Sequence, residues 1–375
     1  MNAPPRSAYV HVPFCAHRCG YCDFTVVADR GDLVDAYLEA VALEAAGQGP
    51  PCEVDTLYFG GGTPSQLSPS AFGRLCDAAS AWRPLAAGGE WTVEANPADV
   101  TPEWIALLAE RGVTRLSLGG QSFNEQKLAL LERDHLGEQV HQAVKLAKAA
   151  GIDACLDLIF AAPGETLDRW REDLAAAVDL KPEHVSTYGL TIERGTSFWS
   201  RRLHGRLVEV DDELQRAMYE TAIGTLQASG FEHYEVSNFA AGGHRSRHNQ
   251  AYWAGDGCWA LGPGATRYVR GVRETNHRST TSYLRRVLAG QSPVAEREEL
   301  SAEHRAREAL VLGLRRIAGV DLIDFHRRTG FEVAALAADA IDRFKQLGLL
   351  IEERSHLRLT HEGLLVSDAL WPDLL

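Results

Sequence analysis

Between residue 8 and about residue 190 the chain alternates short apolar runs with amphipathic stretches, and this alternation constrains its fold more than any other feature. Residues 8–12, 54–59, 91–95, 114–118, 154–160 and 184–190 are short, apolar and bounded by Gly, Pro or polar turns, as strands are. Residues 33–46, 70–82, 102–111, 138–150, 167–180 and 211–229 carry the helical period. Thr101-Pro102 is a helix start, because Pro at the first helical position gives up an amide that has no partner there anyway. Gly112 and Gly151 stand where C-terminal caps belong. Parallel strands need long crossovers, so the pattern predicts an α/β fold: a partial six-unit (βα) barrel resembling a TIM barrel over residues 1–240. An open doubly wound sheet is the alternative. Either arrangement puts functional loops after the C-terminal ends of the strands.

Residues 241–300 crowd Gly242, Gly243, Gly255, Gly257, Gly262 and Gly264 around Trp253 and Trp259, and read as an irregular connector with one or two extra strands. This connector directly follows the sixth unit, so it is expected within reach of the open rim. Helices return at 303–314, 322–328 and 333–347, followed by a hairpin (349–353 with 357–360) and a last helix. Residues 301–375 thus form a small, mainly helical domain resembling a winged helix. That domain holds ten Lys and Arg against twelve Asp and Glu, and the whole chain carries a net charge of −13. Nucleic acid is therefore not an expected partner, because phosphate contacts dominate that affinity. No apolar run is long enough to span a membrane and no signal segment precedes the first strand, which points to the cytoplasm.

Of seven cysteines, three fall in Cys15-Ala-His-Arg-Cys19-Gly-Tyr-Cys22, just after the first strand. Three thiolates suit the corners of an iron–sulfur cube with one iron left open. The competing readings, a zinc site completed by His11 or His17 and a mere grouping of buried cysteines, are weaker, and the loop's position on the rim lowers the zinc one further. Cys52, Cys76, Cys155 and Cys258 lack such spacing and read as core or incidental residues. After the second strand comes Gly60-Gly61-Gly62-Thr63-Pro64-Ser65, neither a P-loop nor a dinucleotide fingerprint, whose glycines permit close backbone approach to a ligand. Glu94, Gln121 and Asp157 end the third, fourth and fifth strands on the same rim, and Arg133 is placed to pair with a carboxylate. In His248-Asn249-Gln-Ala-Tyr252-Trp253, His248 and Tyr252 share a helix face. Imidazole is a common axial ligand of haem iron.

The segment from Tyr9-Val-His-Val-Pro-Phe-Cys15 to Cys22-Asp23-Phe24 resembles the cluster loop of the radical S-adenosylmethionine superfamily. That resemblance implies a 4Fe-4S cluster on Cys15, Cys19 and Cys22. It also implies S-adenosylmethionine contacts at Tyr9, Tyr21, Gly61, Gly62, Thr63, Glu94, Gln121, Arg133 and Asp157. The His-Asn-x-x-Tyr-Trp segment, Tyr234-Glu-Val-Ser-Asn-Phe239, Leu261-Gly-Pro-Gly-Ala265 and Leu312-Gly-Leu-Arg-Arg extend the resemblance over nearly the whole chain. They are similar to the HemW family of haem chaperones, related to the oxygen-independent coproporphyrinogen III oxidases. This implies haem binding at His248, Asn249, Tyr252 and Trp253, and transfer of haem to an acceptor protein. The alternative is an enzyme, a radical oxidoreductase that decarboxylates a porphyrinogen. Three positions depart from the relatives. Phe24 replaces a further cysteine of the oxidases, which favours the chaperone branch; Thr266 stands where the family often has His; and Gly120 replaces an apolar residue before Gln121-Ser-Phe.

Overall fold

A computed structural model describes residues 4–375. Six strand–helix units run in order: β1 (Ser7–Val12), α1 (Val34–Gly47), β2 (Val54–Gly61), α2 (Pro69–Trp82), β3 (Leu85–Ala95) and α3 (Pro102–Arg111). They continue through β4 (Arg115–Gln121), α4 (Gly137–Ala149), β5 (Asp153–Phe160), α5 (Leu167–Asp179), β6 (His184–Gly189) and α6 (Asp212–Ala228). The local signals act as expected. The Thr101 hydroxyl accepts from Trp104 N, and Gly112 closes α3 in the left-handed conformation at φ 81°. Strands β1 to β6 pair side by side, all parallel.

The next residues depart from the expectation. β7 (Glu232–Glu235) and β8 (Asn238–Ala240) form a hairpin whose second arm pairs antiparallel with β6. The stretch read as a connector holds α7 (Arg247–Trp253), β9 (Cys258–Leu261), β10 (Thr266–Val269), β11 (Val272–Asn276) and β12 (Val294–Glu299). β9 lies parallel against the free side of β1, and β10 to β12 follow as an antiparallel meander. The result is one twelve-stranded mixed sheet in the order β12-β11-β10-β9-β1-β2-β3-β4-β5-β6-β8-β7. The turn between β10 and β11 is Arg270-Gly271, both residues at positive φ (55° and 82°). This is the two-residue hairpin geometry normally signalled by Asn-Gly or Asp-Gly.

The predicted location of the His248 segment needs correction. Ala240, at the end of β8, lies opposite His184, at the start of β6. The chain therefore leaves β8 at the N-terminal ends of the parallel strands, and α7 sits there, away from the C-terminal rim. Residues beyond 300 form helices Ala302–Leu314, Leu322–Thr329 and Val333–Gln346, then the hairpin Leu350–Glu353 with His356–Leu359. They pack around their own apolar cluster, including Leu310, Phe325, Ile341, Phe344 and Leu357. Among the described residues no helix is long and apolar enough to cross a membrane.

Candidate functional site

The loop that carries the three cysteines is fastened on every side. Phe14–Cys15 pairs with Val27–Ala28. Gly62 N donates to Val12 O at 2.8 Å and Thr63 N to Phe14 O at 2.7 Å, which ties the loop to the end of β2. His11 is held between the Tyr9 hydroxyl (3.0 Å) and Thr25 O (2.7 Å). Arg278 donates to Asp23 O at 2.7 Å, and Phe198 N to Gly20 O at 2.8 Å. Both ring nitrogens of His11 are thus engaged, and the exposed His17 lies 3.5 Å from Glu132. Among the described residues, no three His, Cys, Asp or Glu side chains converge on a single-ion position.

Cys15, Cys19 and Cys22 all line one cavity of about 450 Å³ that runs from the C-terminal ends of the strands down to their starts at Arg115 and His184. Thr63 donates its hydroxyl to Cys15 Sγ at 3.4 Å, and Arg133 donates Nη1 to Cys19 Sγ at 3.5 Å. Burial pushes the Cys15 thiol up to about 11, against the opposing hydrogen bond from Thr63, and also raises Cys22. Among the described residues Arg133 has no carboxylate partner. It contacts the Cys19 sulfur and Gly119 O, while its buried Nε finds no partner among the described residues.

The other side of the cavity is built from strand positions two apart: Thr92 and Glu94, Ser117, Gly119 and Gln121, Cys155, Asp157 and Ile159, and His184, Ser186 and Tyr188. This is the two-residue period of strands whose alternate side chains face one interior. Glu94 accepts from the Tyr58 hydroxyl at 2.7 Å and from Gly61 N at 2.9 Å. Burial raises its carboxyl to about 7 against those hydrogen bonds, with the nearby Asp157 adding to the rise. Asp157, within reach of Ser117 at 3.2 Å, is likewise raised by burial to about 6. Gly61 has φ 107°, and a Cβ on Gly62 would stand 2.7 Å from Val12 O, so the glycine loop is a cradle that only glycine fits. Gly120 is less confined, since a Cβ there would crowd only the end of the Leu156 side chain, at 2.8 Å.

Of the residues expected around S-adenosylmethionine, Tyr21, Gly61, Gly62, Thr63, Glu94, Gln121, Arg133 and Asp157 line this cavity. Tyr9 does not; it stands behind Tyr58, its ring 6.0 Å away. Of the four haem candidates only Asn249 reaches the cavity, at its floor beside Arg115 and Ser246. His248 instead packs on Tyr58 at 5.0 Å and meets Thr56 at 2.9 Å. Tyr252 is exposed, and Trp253 lies under Arg315. Thr266 pairs with Thr275 across β10 and β11. Tyr58, Ser117 and Ser186 were not expected here. Their signal was a polar residue at every second position of otherwise apolar strands. Cys155, read as incidental, is buried but lines the cavity.

Soft thiols on one loop, a guanidinium whose Nε has no partner among the described residues, a glycine cradle and two buried carboxyls form a donor set suited to an iron–sulfur cluster with a polar, cationic ligand beside it. Residues 9–177 match the family model of the Radical SAM superfamily and residues 300–366 that of the HemN C-terminal domain. The class of protein defined by this fold and loop is therefore the radical S-adenosylmethionine superfamily, which implies a 4Fe-4S cluster and S-adenosylmethionine as cofactors.

Proteins named "Heme chaperone HemW" are similar to the chain along its length. That of Lactococcus lactis subsp. lactis is 36% identical, covering 97% of this chain and 95% of the relative. That of Mycobacterium tuberculosis is 37% identical, covering 100% and 96%. The chain belongs to the HemW family. The solved coproporphyrinogen III oxidase HemN of Escherichia coli shares its fold, with a TM-score of 0.87 over 99% of this chain and 90% of that one, at 20% identity.

Proposed function

We propose that the chain is a haem chaperone, which binds haem and passes it to an acceptor protein. The observation that carries this reading is the near-complete alignment, at more than 30% identity, with relatives named as haem chaperones. The oxidase shares only the fold at its 20% identity, so its activity does not transfer.

In this reading Cys15, Cys19 and Cys22 hold the 4Fe-4S cluster, and Tyr21, Gly61, Gly62, Thr63, Glu94, Gln121, Arg133 and Asp157 enclose S-adenosylmethionine, with Tyr9 supporting the wall from behind Tyr58. When bound, cluster and cofactor supply an open iron and one-electron chemistry. The chain itself contributes a cation at Cys19, through Arg133, and two carboxyls able to hold or release a proton near neutral pH. Haem is assigned to His248, Asn249, Tyr252 and Trp253, at the end of the sheet where the parallel strands begin. Residues 1–240 serve as a partial six-unit barrel, 241–300 carry the haem segment, and 301–375 form a domain of winged-helix type. The site of action is the cytoplasm.

The test is made on anaerobically reconstituted protein. Stable haem binding with a defined Soret band is expected, and no vinyl product from coproporphyrinogen even with reduced cluster and excess S-adenosylmethionine. Multiple turnovers of coproporphyrinogen would overturn the chaperone reading in favour of the decarboxylase.

A further inference from the structure

The ends of β4 and β5 share an unusual backbone conformation. Gln121, the last residue of β4, and Ala161, just past β5, both have φ 62°, a left-handed conformation that non-glycine residues seldom adopt. Both ends are gripped by one ion cluster. Lys127, from the short helix Glu125–Leu130, reaches Glu165 at 2.5 Å and Asp173 of α5 at 2.9 Å. Asp173 accepts from the Ser122 hydroxyl at 2.7 Å and from Phe123 N at 2.7 Å. Glu165 accepts from Ala162 N at 2.9 Å. The Lys127 ammonium also lies 5.1 Å from the Trp170 ring centroid. All three charged side chains are at most 4% exposed.

A buried ion cluster is weak evidence for stability, because apolar side chains of similar volume often serve as well. Its directional bonds, however, do what apolar packing cannot: each carboxylate fixes a backbone amide one or two residues beyond a left-handed residue. Left-handed backbone persists only where its surroundings impose it, and such sites gather around ligands. Gln121 and Asp157, on these two strands, line the cavity wall across from the cysteine loop.

We infer that Lys127, Glu165 and Asp173 are positioning residues for S-adenosylmethionine: they clamp the ends of β4 and β5 so that Gln121 and Asp157 face the cofactor. This rests on the reading of the cavity as the cofactor site. None of the three lines the cavity, so their effect runs through the backbone they hold.

The experiment uses full-length, anaerobically reconstituted Lys127→Met, with Leu108→Ala in α3 as a remote core control. Lys127→Met is expected to keep its iron and sulfide, to bind S-adenosylmethionine about ten-fold more weakly in equilibrium dialysis, and to lose hydrogen-exchange protection at the Phe123 and Ala162 amides. Leu108→Ala should bind the cofactor as the parent does. If Lys127→Met does not fold, Ser122→Ala, which removes a single link to Asp173, is read by the same criteria. Folded variant protein with unchanged affinity would overturn the inference, and so would an equal loss in Leu108→Ala. If saturating cofactor leaves the cluster EPR signal of the parent unchanged, the cofactor reading falls and this inference with it; parent binding beside unchanged variant affinity sinks the inference alone.

Discussion

Thr56 Oγ1 and His248 Nδ1 lie 2.9 Å apart, which seats α7 across the starting ends of the parallel strands. Glu90, on the neighbouring strand β3, adds a carboxylate that accepts from Arg247 N and His248 N, both at 2.9 Å. A negative group at a helix start satisfies amides that have no partner within the helix. Burial pushes His248 down to about 4, so the ring is neutral at physiological pH, as a metal ligand must be. In the proposed haem reading, the contact of Nδ1 with Thr56 would leave Nε2 for the iron, with the hydroxyl as the group that orients the ring.

His248→Ala is therefore expected to weaken haem binding or shift the Soret band, while iron–sulfur content stays intact. Thr56→Val, which keeps the shape and removes the hydroxyl, should weaken haem roughly ten-fold. Both are read by haem titration, with circular dichroism to show that the fold survives. Unchanged affinity and spectrum in folded His248→Ala would remove the ligand assignment and leave the chaperone reading to another His or to Cys258.

For the cluster, reconstituted parent protein should hold about four iron and four sulfide per chain, and Ala at Cys15, Cys19 or Cys22 should abolish this. Haem binding by the Cys19 variant should persist, because α7 and the cysteine loop lie at opposite ends of the strands. Stoichiometric zinc without iron–sulfur absorbance would contradict the assignment.

The strand–helix alternation, the cysteine loop and the strand-end carboxylates were legible because each depends on local spacing. What was not legible depended on pairing between distant segments. β9 is four residues long and becomes a parallel strand only because β1 offers a free side, to which Ala260 is matched at Tyr9. The Arg270-Gly271 turn gave no strong hairpin signal, so β10 to β12 looked irregular. The place of α7 followed from the direction of the short β8, which reverses the chain. Arg133 is near Asp134 in sequence, yet only the tertiary fold brings Cys19 to its guanidinium.

The buried carboxyls give the cluster-free protein a defined pH dependence. Glu94 titrates near 7 when folded and near 4.5 when unfolded. Between those values the unfolded chain has lost the proton and the folded chain keeps it, so stability falls as pH rises through that window and levels off above it. Glu94→Gln should remove this slope, gaining on the order of 2 kcal/mol relative to the parent at pH 8 and little at pH 4. Asp157→Asn should do the same between about 3.8 and 6. Urea unfolding across pH reads both; parallel curves for parent and variants would show that neither carboxyl is held protonated.

The loop Leu261-Gly-Pro-Gly-Ala265 supplies the last prediction. Gly262 has φ 102°, and a Cβ there would stand 2.5 Å from His11 O, a backbone atom that cannot swing aside. The same carbonyl accepts from the Tyr37 hydroxyl at 2.8 Å, and Gly262 N donates to the buried Glu44 at 3.0 Å. Moving either partner would thus break a buried hydrogen bond. Gly262→Ala combines left-handed backbone with a backbone collision and should cost on the order of 3 kcal/mol in urea unfolding. His11 also holds Thr25 of the cysteine loop, so the displacement should reach the cluster and hasten iron loss to a chelator. Gly242→Ala is the control: it meets no atom within 4 Å and lies outside the positive-φ region, so its effect should stay within about 0.5 kcal/mol. Equal stability and equal iron retention in the two variants would show that the loop does not brace the cysteines.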